Sequence, residues 1–302
     1  MATTNSLTTT YAGEFAGKYV SAALLSGKTL AEGNITVKPN VKFKEVMKKV
    51  ATDDIVKDAT CDFDATSTLT LTERILQPEE FQVNLQLCKK DFRSDWEAVQ
   101  MGYSAFDNLP PSFSDFLIAH VAGKVAQKVE QNIWNGTDAN AGEFDGFETT
   151  LGADVGGQAS TSANVVGELG KIVDAIPSGV YGSDDLAIYL PSNMYRNYVR
   201  ALGGFASNVG AAGTNDQGTQ WFNGGALTFD GINIALAQGL PSDKAVAAEK
   251  GNLFFGTGLL ADHNEVKVID MADIDGSQNV RVIMRFTAGI QHAIGSDIVL
   301  YS

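Results

Sequence analysis

The chain has 302 residues, of which 44% are hydrophobic and 19% are charged, and this composition excludes a fibrous or disordered protein. Its 36 acidic residues outnumber 22 basic ones, which gives a formal net charge of −14. A chain this acidic does not attract nucleic-acid phosphates as a whole, so its charge argues against a DNA-reading protein. Only two cysteines occur, Cys61 and Cys88, and we expect both to be free thiols in a reducing compartment.

The N-terminal region shows no signal for a membrane or for secretion. No apolar run reaches the roughly 20 residues that cross a bilayer. The first residues, MATTNSLTTTYAG, lack both a basic region and a hydrophobic stretch. We therefore expect a soluble protein that is made in the cytoplasm.

Residues 14–30 predict a short amphipathic helix. Apolar residues, among them Phe15 and Tyr19, recur there at helical spacing. Gly33 is expected to close the helix, because glycine is favoured just after a helix end.

A long β-hairpin is predicted over residues 42–72, between alternating apolar positions typical of strands. In the first strand Val41 and Phe43 should share one face, with Lys42 and Lys44 on the other. The segment contains few large apolar residues and cannot bury itself, so it should lie against its own domain or a neighbouring subunit.

The hairpin region also contains the one basic concentration of the sequence. This concentration is either a solvated face or an electrostatic contact with an acidic neighbour, which could be another copy of the chain. Its members are Lys38, Lys42, Lys44, Lys48 and Lys49.

The strongest helix is predicted over 112–135, where apolar residues recur at every fourth position after Pro110 and Pro111. Asn135 and Gly136 should end it. Further along, the patterns predict a helix over 165–176, a buried strand over 186–190, a helix over 192–202, and strands within 226–301.

Patterns that could carry chemistry are weak. Residues 22–29, AALLSGKT, satisfy a loosened phosphate-loop pattern, but a helix runs through them where a strand should precede the loop, so we interpret them as a helix end capped by Gly27. Three histidines without paired ligands predict no metal site, and no GxSxG or Cys–His arrangement supports a nucleophile. We expect no catalytic residue, no cofactor and no enzyme.

From Pro110 onward the order of segments resembles the major capsid proteins of tailed bacteriophages. The helix FSDFLIAHVAGKVAQKVEQNIWNGTDANAGEFDGF is similar to the spine helix of that family, which ends in an aromatic or apolar residue, then Asn-Gly-Thr/Asp and a glycine-bearing loop. Upstream, LQPEEFQVNLQLCKKDFRSDW resembles the strand and helix that lead into the spine. Downstream, NLFFGTGLL resembles the strand by which the chain returns.

The resemblance implies an α+β chain with the Hong Kong 97-like capsid fold. Its implied parts are an N-terminal arm (1–39), an extended β-hairpin loop (40–80), a peripheral domain with the spine helix (81–160), an axial domain (161–252) and return strands (253–302). The arm and the loop would contact adjacent subunits. The implied contact candidates are Phe15, Tyr19, Val41, Lys42, Phe43, Lys44, Lys48 and Lys49.

The implied function is a shell of hexamers and pentamers that encloses double-stranded phage DNA without reading its sequence. The implied partners are further copies of the chain, a portal, and separate scaffolding or decoration proteins, in a virion assembled in the bacterial cytoplasm. We expect no covalent cross-link between subunits. Two alternatives remain open: an encapsulin-type compartment around protein cargo, and a nucleotide-binding enzyme that uses residues 22–29.

Overall fold

A computed structural model of the chain describes residues 28–52, 56–59, 61, 65, 68–92, 111–152, 155–202, 227–258 and 266–302. These residues fall into two compact units. The first unit contains, of the described residues, 80–92, 111–129, 258 and 266–287, and the second contains the others. The boundary falls within one long helix, within one long strand and after Glu79, the first residue of another strand, so these three elements contribute residues to both units.

The second unit is built around a five-stranded mixed sheet. The central strand, Leu186–Leu190, is buried at every residue and pairs parallel with one neighbour and antiparallel with the other. In spatial order the strands are β12 (Val299–Tyr301), β8 (Ala245–Glu249), β5 (Leu186–Leu190), β7 (Ile232–Leu236) and β6 (Thr228–Phe229).

Two amphipathic helices, α5 (Val165–Asp174) and α6 (Ser192–Leu202), contribute their apolar faces to the core of this sheet. Leu169 and Ile172 of α5 and Met194 of α6 are fully buried there. This packing gives the second unit a continuous apolar core.

A second group of strands in this unit forms the base of a β-hairpin. Strand β1 (Thr36–Lys38) pairs parallel with β9 (Leu253–Gly256), which pairs antiparallel with the end of β11 (Asn279–His292). The hairpin strands β2 (Glu45–Thr52) and β3 (Leu69–Leu76) pair with each other.

The first unit packs a helix onto three strands. Strands β4 (Glu79–Cys88) and β10 (Val266–Asp270) both pair with β11. Leu117 and Val121 of the long helix α3 (Pro111–Asn135) contact Val282 of β11 in its buried core.

The short helices are α1 (Lys28–Ala31), α2 (Lys89–Phe92), α4 (Phe147–Thr150) and α7 (Ala272–Asp275). None of the described helices combines the length and the apolar character that a membrane span requires.

A tight loop closes the C-terminal end of α3. The N–H of Gly136 donates to the carbonyl of Asn132, and the carbonyl of Gly136 accepts from the N–H of Gly146 and the hydroxyl of Thr149. A Cβ atom on Gly136 would lie 2.2 Å from the carbonyl oxygen of Phe144. The Asn-Gly pair therefore ends the helix because only glycine fits beside the returning backbone.

Most predicted elements are confirmed. The long helix begins one residue earlier than expected, the strand 186–190 and the helix 192–202 have the predicted bounds, and α5 ends two residues before Ile176. Gly33, with φ of +65°, follows the turn after α1. The earlier part of the predicted helix over 14–30 lies outside the described residues. The five-part domain division stays a prediction.

One sequence interpretation is wrong, and one strand was missed. Val41 and Phe43 do not share a strand face, because Asn40 adopts a left-handed φ of 63° and β2 begins only at Glu45. Gly27 lies outside the described residues, and helix α1 begins directly after it at Lys28. Strand β8 was not predicted, because its sequence AVAAE contains three alanines, which have weak strand propensity.

We predict that Gly136→Ala destabilises the protein by about 1–3 kcal/mol, because the added methyl group must displace backbone. Urea unfolding measures the change. Gly179→Ala is the matched control, since its Cβ would have no neighbour within 4 Å and should have little effect. Equal stability of the two variants would contradict the tight packing at Gly136.

Candidate self-assembly surface

The hairpin β2–β3 is a two-stranded sheet, and no third described strand pairs with it. Its register aligns eight residue pairs, from Glu45 opposite Leu76 to Thr52 opposite Leu69. A two-stranded ribbon is marginally stable in water unless one of its faces is covered. The faces of this hairpin therefore determine what it can bind.

One face of the hairpin is mostly apolar, with the opposed pair Lys48 and Glu73 between its apolar pairs. Residues directly opposite each other in an antiparallel pair project to the same face, and that face repeats at every second residue. Val46 lies opposite Ile75, and Val50 lies opposite Leu71. Leu69 is on the same face as Leu71, two residues away. We call these five side chains the apolar face; they are Val46, Val50, Leu69, Leu71 and Ile75.

The apolar face is open to solvent within the single chain. Its side chains are 41–65% exposed. Of the ten large apolar side chains that are exposed among the described residues, seven lie between Phe43 and Ile75. Contiguous exposed apolar surface marks an interaction site, so this concentration identifies the hairpin as the candidate site.

The other face of the hairpin borders a cleft in the same unit. Met47 and Arg74 form one of its opposed pairs, and Lys49 and Thr72 form another. The cleft, with a volume of about 750 Å³, is lined by residues 47–50, 72–74 and 293–296.

The base of the hairpin is fixed to the body of its unit. Leu76 is fully buried, and its side chain lies against Gly256, where a Cβ atom would be only 2.9 Å away. A Cβ on Gly289 would likewise meet the backbone of Gln77 and Pro78 at 2.9 Å. Glycines at these two positions let the chain leave β3 in direct contact with the neighbouring strands.

The predicted contact residues are distributed unevenly around this surface. Lys42, Phe43 and Lys44 are exposed in the turn before β2; Phe43 is 71% exposed, and the Nζ of Lys44 lies 5.2 Å from the centre of its ring. Lys48 is exposed on the apolar-face side, opposite Glu73, and Lys49 is half-buried on the other side.

Val41 differs from the other candidates. It is only 7% exposed, and its N–H donates to the carbonyl of Thr257 at 3.0 Å. The side chain is therefore part of the chain's own core and is not free to meet a neighbour. Phe15 and Tyr19 lie outside the described residues.

The sequence prediction missed three members of the apolar face, Val46, Val50 and Ile75. Leu69 and Leu71 were recognised as strand residues from their alternation. The sequence did contain a pattern for these three residues, because Val46 and Val50 in EVMKKV, and Leu71 and Ile75 in LTERIL, are separated by an even number of residues. It became readable only once the register paired the two strands.

A buried histidine lies below the hairpin. His292, at the end of β11, is 1% exposed, and its Nδ1 has no hydrogen-bond partner among the described residues. Burial and the nearby positive charge of Arg74 lower the pKa of His292 from 6.5 to about 4. The side chain is therefore neutral at physiological pH.

The phosphate-loop residues described by the structure are occupied by internal contacts. Thr29 is 1% exposed, and both its N–H and its hydroxyl donate to the carboxylate of Glu130. The hydroxyl also accepts from the indole N–H of Trp134 at 3.0 Å. A nucleotide site would need this hydroxyl for a metal ion, so these contacts argue against a phosphate loop. The described residues hold no group of three or more His, Cys, Asp or Glu side chains that could bind a metal.

Comparison with solved structures identifies the fold. No model of a known protein family and no curated protein sequence matches the chain. A structure from Gordonia phage Cozz matches with a TM-score of 0.63 and 10% identity, over 94% of this chain and 89% of that one. The capsid of a native GTA particle matches with a TM-score of 0.61 and 14% identity, over 94% and 93%. The capsid of Myoviridae phage XM1 matches with a TM-score of 0.60 and 12% identity, over 95% and 96%. Over nearly its whole length, the chain has the fold of these capsid proteins.

The histidine below the hairpin predicts a specific loss of stability in acid. The pKa of His292 is lower in the folded chain than in the unfolded one, so protonation of this side chain favours the unfolded state. With respect to this group, the protein has its full stability above pH 6.5 and loses stability as the pH falls towards 4. The total loss is about 3 kcal/mol. Urea unfolding of the wild type and of His292→Gln across this range measures it as the difference between the two pH profiles.

Arg74→Gln is the companion variant. Removing the guanidinium removes one cause of the lowered pKa, so the acid loss due to His292 should become smaller. Parallel pH profiles for the wild type and His292→Gln would contradict the assignment.

Proposed function

We propose that the chain is a tailed-phage major capsid protein that self-assembles into the hexamers and pentamers of an icosahedral shell around double-stranded DNA. The observation that carries the proposal is the match of about 94% of the chain to the capsid structures of phage and GTA particles. On this proposal, the chain is located in the virion after assembly in the bacterial cytoplasm. Its partners are copies of itself, a portal, and separate scaffolding or decoration proteins.

The apolar face supports self-assembly on physical grounds. A closed shell needs heterologous contacts that repeat from one copy to the next. The hairpin offers such a contact, because the side chains of its apolar face are 41–65% exposed and its base is fixed by Leu76. On this proposal, the hairpin lies over the adjacent copy, and that copy covers the exposed valines, leucines and isoleucine.

Charge supports the same partner. Residues 36–50 contain five lysines and one acidic residue, whereas the whole chain has a net charge of −14. Residues 53–64 contain five acidic residues and one lysine, so only the first strand and the turn before it are basic. A second copy is an acidic partner for this basic segment, and attraction between unlike surfaces raises the rate and the selectivity of association. The acidic remainder also suits a shell wall that does not hold the packaged DNA tightly.

Electron microscopy and light scattering of the purified full chain test the proposal. Rings, shells or megadalton particles are the expected result, and nuclease-protected DNA in particles from infected cells would identify the contents. A chain that stays monomeric at high concentration and with its scaffolding partner would contradict the proposal. Particles that hold a protein cargo and no DNA would instead indicate the encapsulin-type compartment.

Polar substitutions on the apolar face should weaken assembly. We predict that the double variant Val50→Thr, Leu71→Thr keeps the folded protomer, because both side chains are exposed and threonine suits a strand. Each lost apolar contact should cost about 1–2 kcal/mol in the assembled state, which raises the protein concentration needed for assembly by about tenfold or more.

The matched control for this variant is Ile274→Thr, because Ile274 is 67% exposed and Leu71 is 65% exposed. Sedimentation of assembled and free protein measures all three chains. An equal effect of the control and the double variant would show that the apolar face has no special role.

Neutralising the lysines should also reduce assembly. Replacing Lys42, Lys44, Lys48 and Lys49 by Gln removes four positive charges without removing buried side chains, so the protomer should stay folded. The assembly rate should fall most at low salt, where charge attraction is least screened. An assembly rate equal to that of the wild type at low salt would refute the electrostatic role.

A further inference from the structure

The sheet of the first unit has one face towards the helix α3 and one face away from it. Val83, Val266 and Val282 pack with α3 in the core of this unit. Side chains alternate between the two faces along each strand, so residues one position away project to the opposite side. We call that side the outer face; its members are Gln82, Asn84, Gln86, Lys267, Ile269, Arg281, Ile283 and Arg285.

Strand pairing brings the positive charges of the outer face together. Lys267 of β10 lies opposite Ile283 of β11, which is midway between Arg281 and Arg285. On the other neighbouring strand, the Oε1 of Gln86 accepts from the Nε of Arg281 at 3.3 Å. Two residues of a strand span about 7 Å, so the three cations follow one another at about that interval along the sheet.

The outer face is basic and exposed, in contrast to the acidic chain as a whole. Its three cations are exposed, and so are the three amide side chains that β4 adds to it. Among the described residues of these strands, only Glu80 brings a carboxylate to this side, at one end. Asp275 borders the face: hydrogen bonds from Ser277 lower its pKa, and the charge of Arg281 adds to that effect. A local excess of positive charge suits a negatively charged partner.

One segment of the same sequence has the opposite charge. Strand β2 ends at Thr52 and β3 begins at Leu69, so residues 53–68 connect the two hairpin strands. Residues 53–64, which we call the acidic segment, contain five aspartates and one lysine. Those members of it that the structure describes are exposed. The hairpin has eight paired residues on each strand, so this connection begins about 25 Å from the hairpin base.

We propose that the outer face of one copy binds the acidic segment of a second copy. The proposal rests on the proposed shell function, because it names the surface on which a neighbour's hairpin lies. The guanidinium groups of Arg281 and Arg285 would donate paired hydrogen bonds to aspartate carboxylates. Each chain supplies a segment to one neighbour and a face to another, so the contact is heterologous and repeats from copy to copy.

Packaged DNA is the other polyanion that a basic face could bind. Three cations neutralise only a few phosphates, and the net charge of −14 on the chain repels DNA. The acidic segment, in contrast, is present once for every outer face and lies on a projecting hairpin. Charge and stoichiometry therefore favour a second copy as the partner.

Binding of a fluorescent peptide of residues 53–64 to the full-length chain tests the proposal. The peptide contains Cys61→Ser so that it cannot form disulfides, and the protein concentration is kept below that needed for assembly. Saturable binding that weakens as salt rises is the expected result in fluorescence anisotropy. Replacing Arg281 and Arg285 together by Gln should weaken this binding by about tenfold.

The matched control is Arg196→Gln with Arg200→Gln on α6. Both pairs of arginines are exposed, and one member of each donates a single hydrogen bond through its Nε: Arg196 to the carbonyl of Ser192, and Arg281 to Gln86. The control should bind the peptide as the wild type does. Equal affinities of the two double variants would overturn the proposal. Tighter binding of a short random-sequence DNA duplex, lost with Arg281 and Arg285, would assign the face to DNA and also overturn it.

Charge exchange between the two surfaces tests the contact in assembly. Arg281→Glu with Arg285→Glu should raise the protein concentration needed for assembly at low salt by about tenfold, and Asp58→Lys with Asp62→Lys should do the same. A chain with all four substitutions should return to within about threefold of the wild type, because unlike charges face each other again. Effects that simply add in the combined chain would overturn the proposal. Should the Glu variant fail to fold, the Gln variant replaces it, and its smaller loss should likewise not add to that of the aspartate variant.

This contact and the shell function can fail separately. Peptide binding requires no assembly, whereas microscopy of the wild type tests the shell. Wild-type particles together with unchanged peptide binding after loss of Arg281 and Arg285 would refute only the contact. Specific peptide binding by a wild type that never assembles would support the contact and refute the shell.

Discussion

A two-stranded ribbon is stabilised by a single set of inter-strand hydrogen bonds, so it is marginally stable unless one of its two faces is covered. This constraint governs what the hairpin of this chain can bind. The hairpin β2–β3 covers neither its own apolar face nor its own edges among the described residues. Burying Val46, Val50, Leu69, Leu71 and Ile75 would each contribute about 1–2 kcal/mol. The chain leaves this free energy unused, so the proposed assembly would draw its driving force from this one segment.

The attachment of the hairpin to its own unit determines how much of that free energy can appear as binding affinity. Leu76 is buried at the end of β3, and Gly256 and Gly289 allow direct contact between the hairpin base and neighbouring strands. A ribbon held in this way loses less conformational freedom on binding than a free loop would, so more of the apolar contact energy appears as affinity.

The sequence predicts the elements whose pattern lies within a few neighbouring residues. Prediction fails for features that depend on contacts between residues far apart in the chain. The helix 111–135, the strand 186–190 and the helix 192–202 follow from periodicity, proline and glycine signals within a few residues. The alanine-rich strand β8 forms because it lies between two buried strands, which no local pattern reveals. Likewise, the backbone hydrogen bond of buried Val41 depends on Thr257, and the hydrogen bonds of Glu130 depend on Thr29. The apolar face was predicted in part: alternation identified Leu69 and Leu71, but only the register added Val46, Val50 and Ile75.

On the proposed function, charge favours the lysine-bearing part of the hairpin as the place where copies meet. Two chains that each have a net charge of −14 repel one another over most approaches. An approach that places the lysines of residues 38–49 against an acidic surface replaces that repulsion with attraction. The apolar face then supplies affinity that salt does not screen, while the lysines supply selectivity and rate that salt does screen. Orientation would thus be decided before the apolar contact forms, which disfavours association of the apolar faces in wrong orientations.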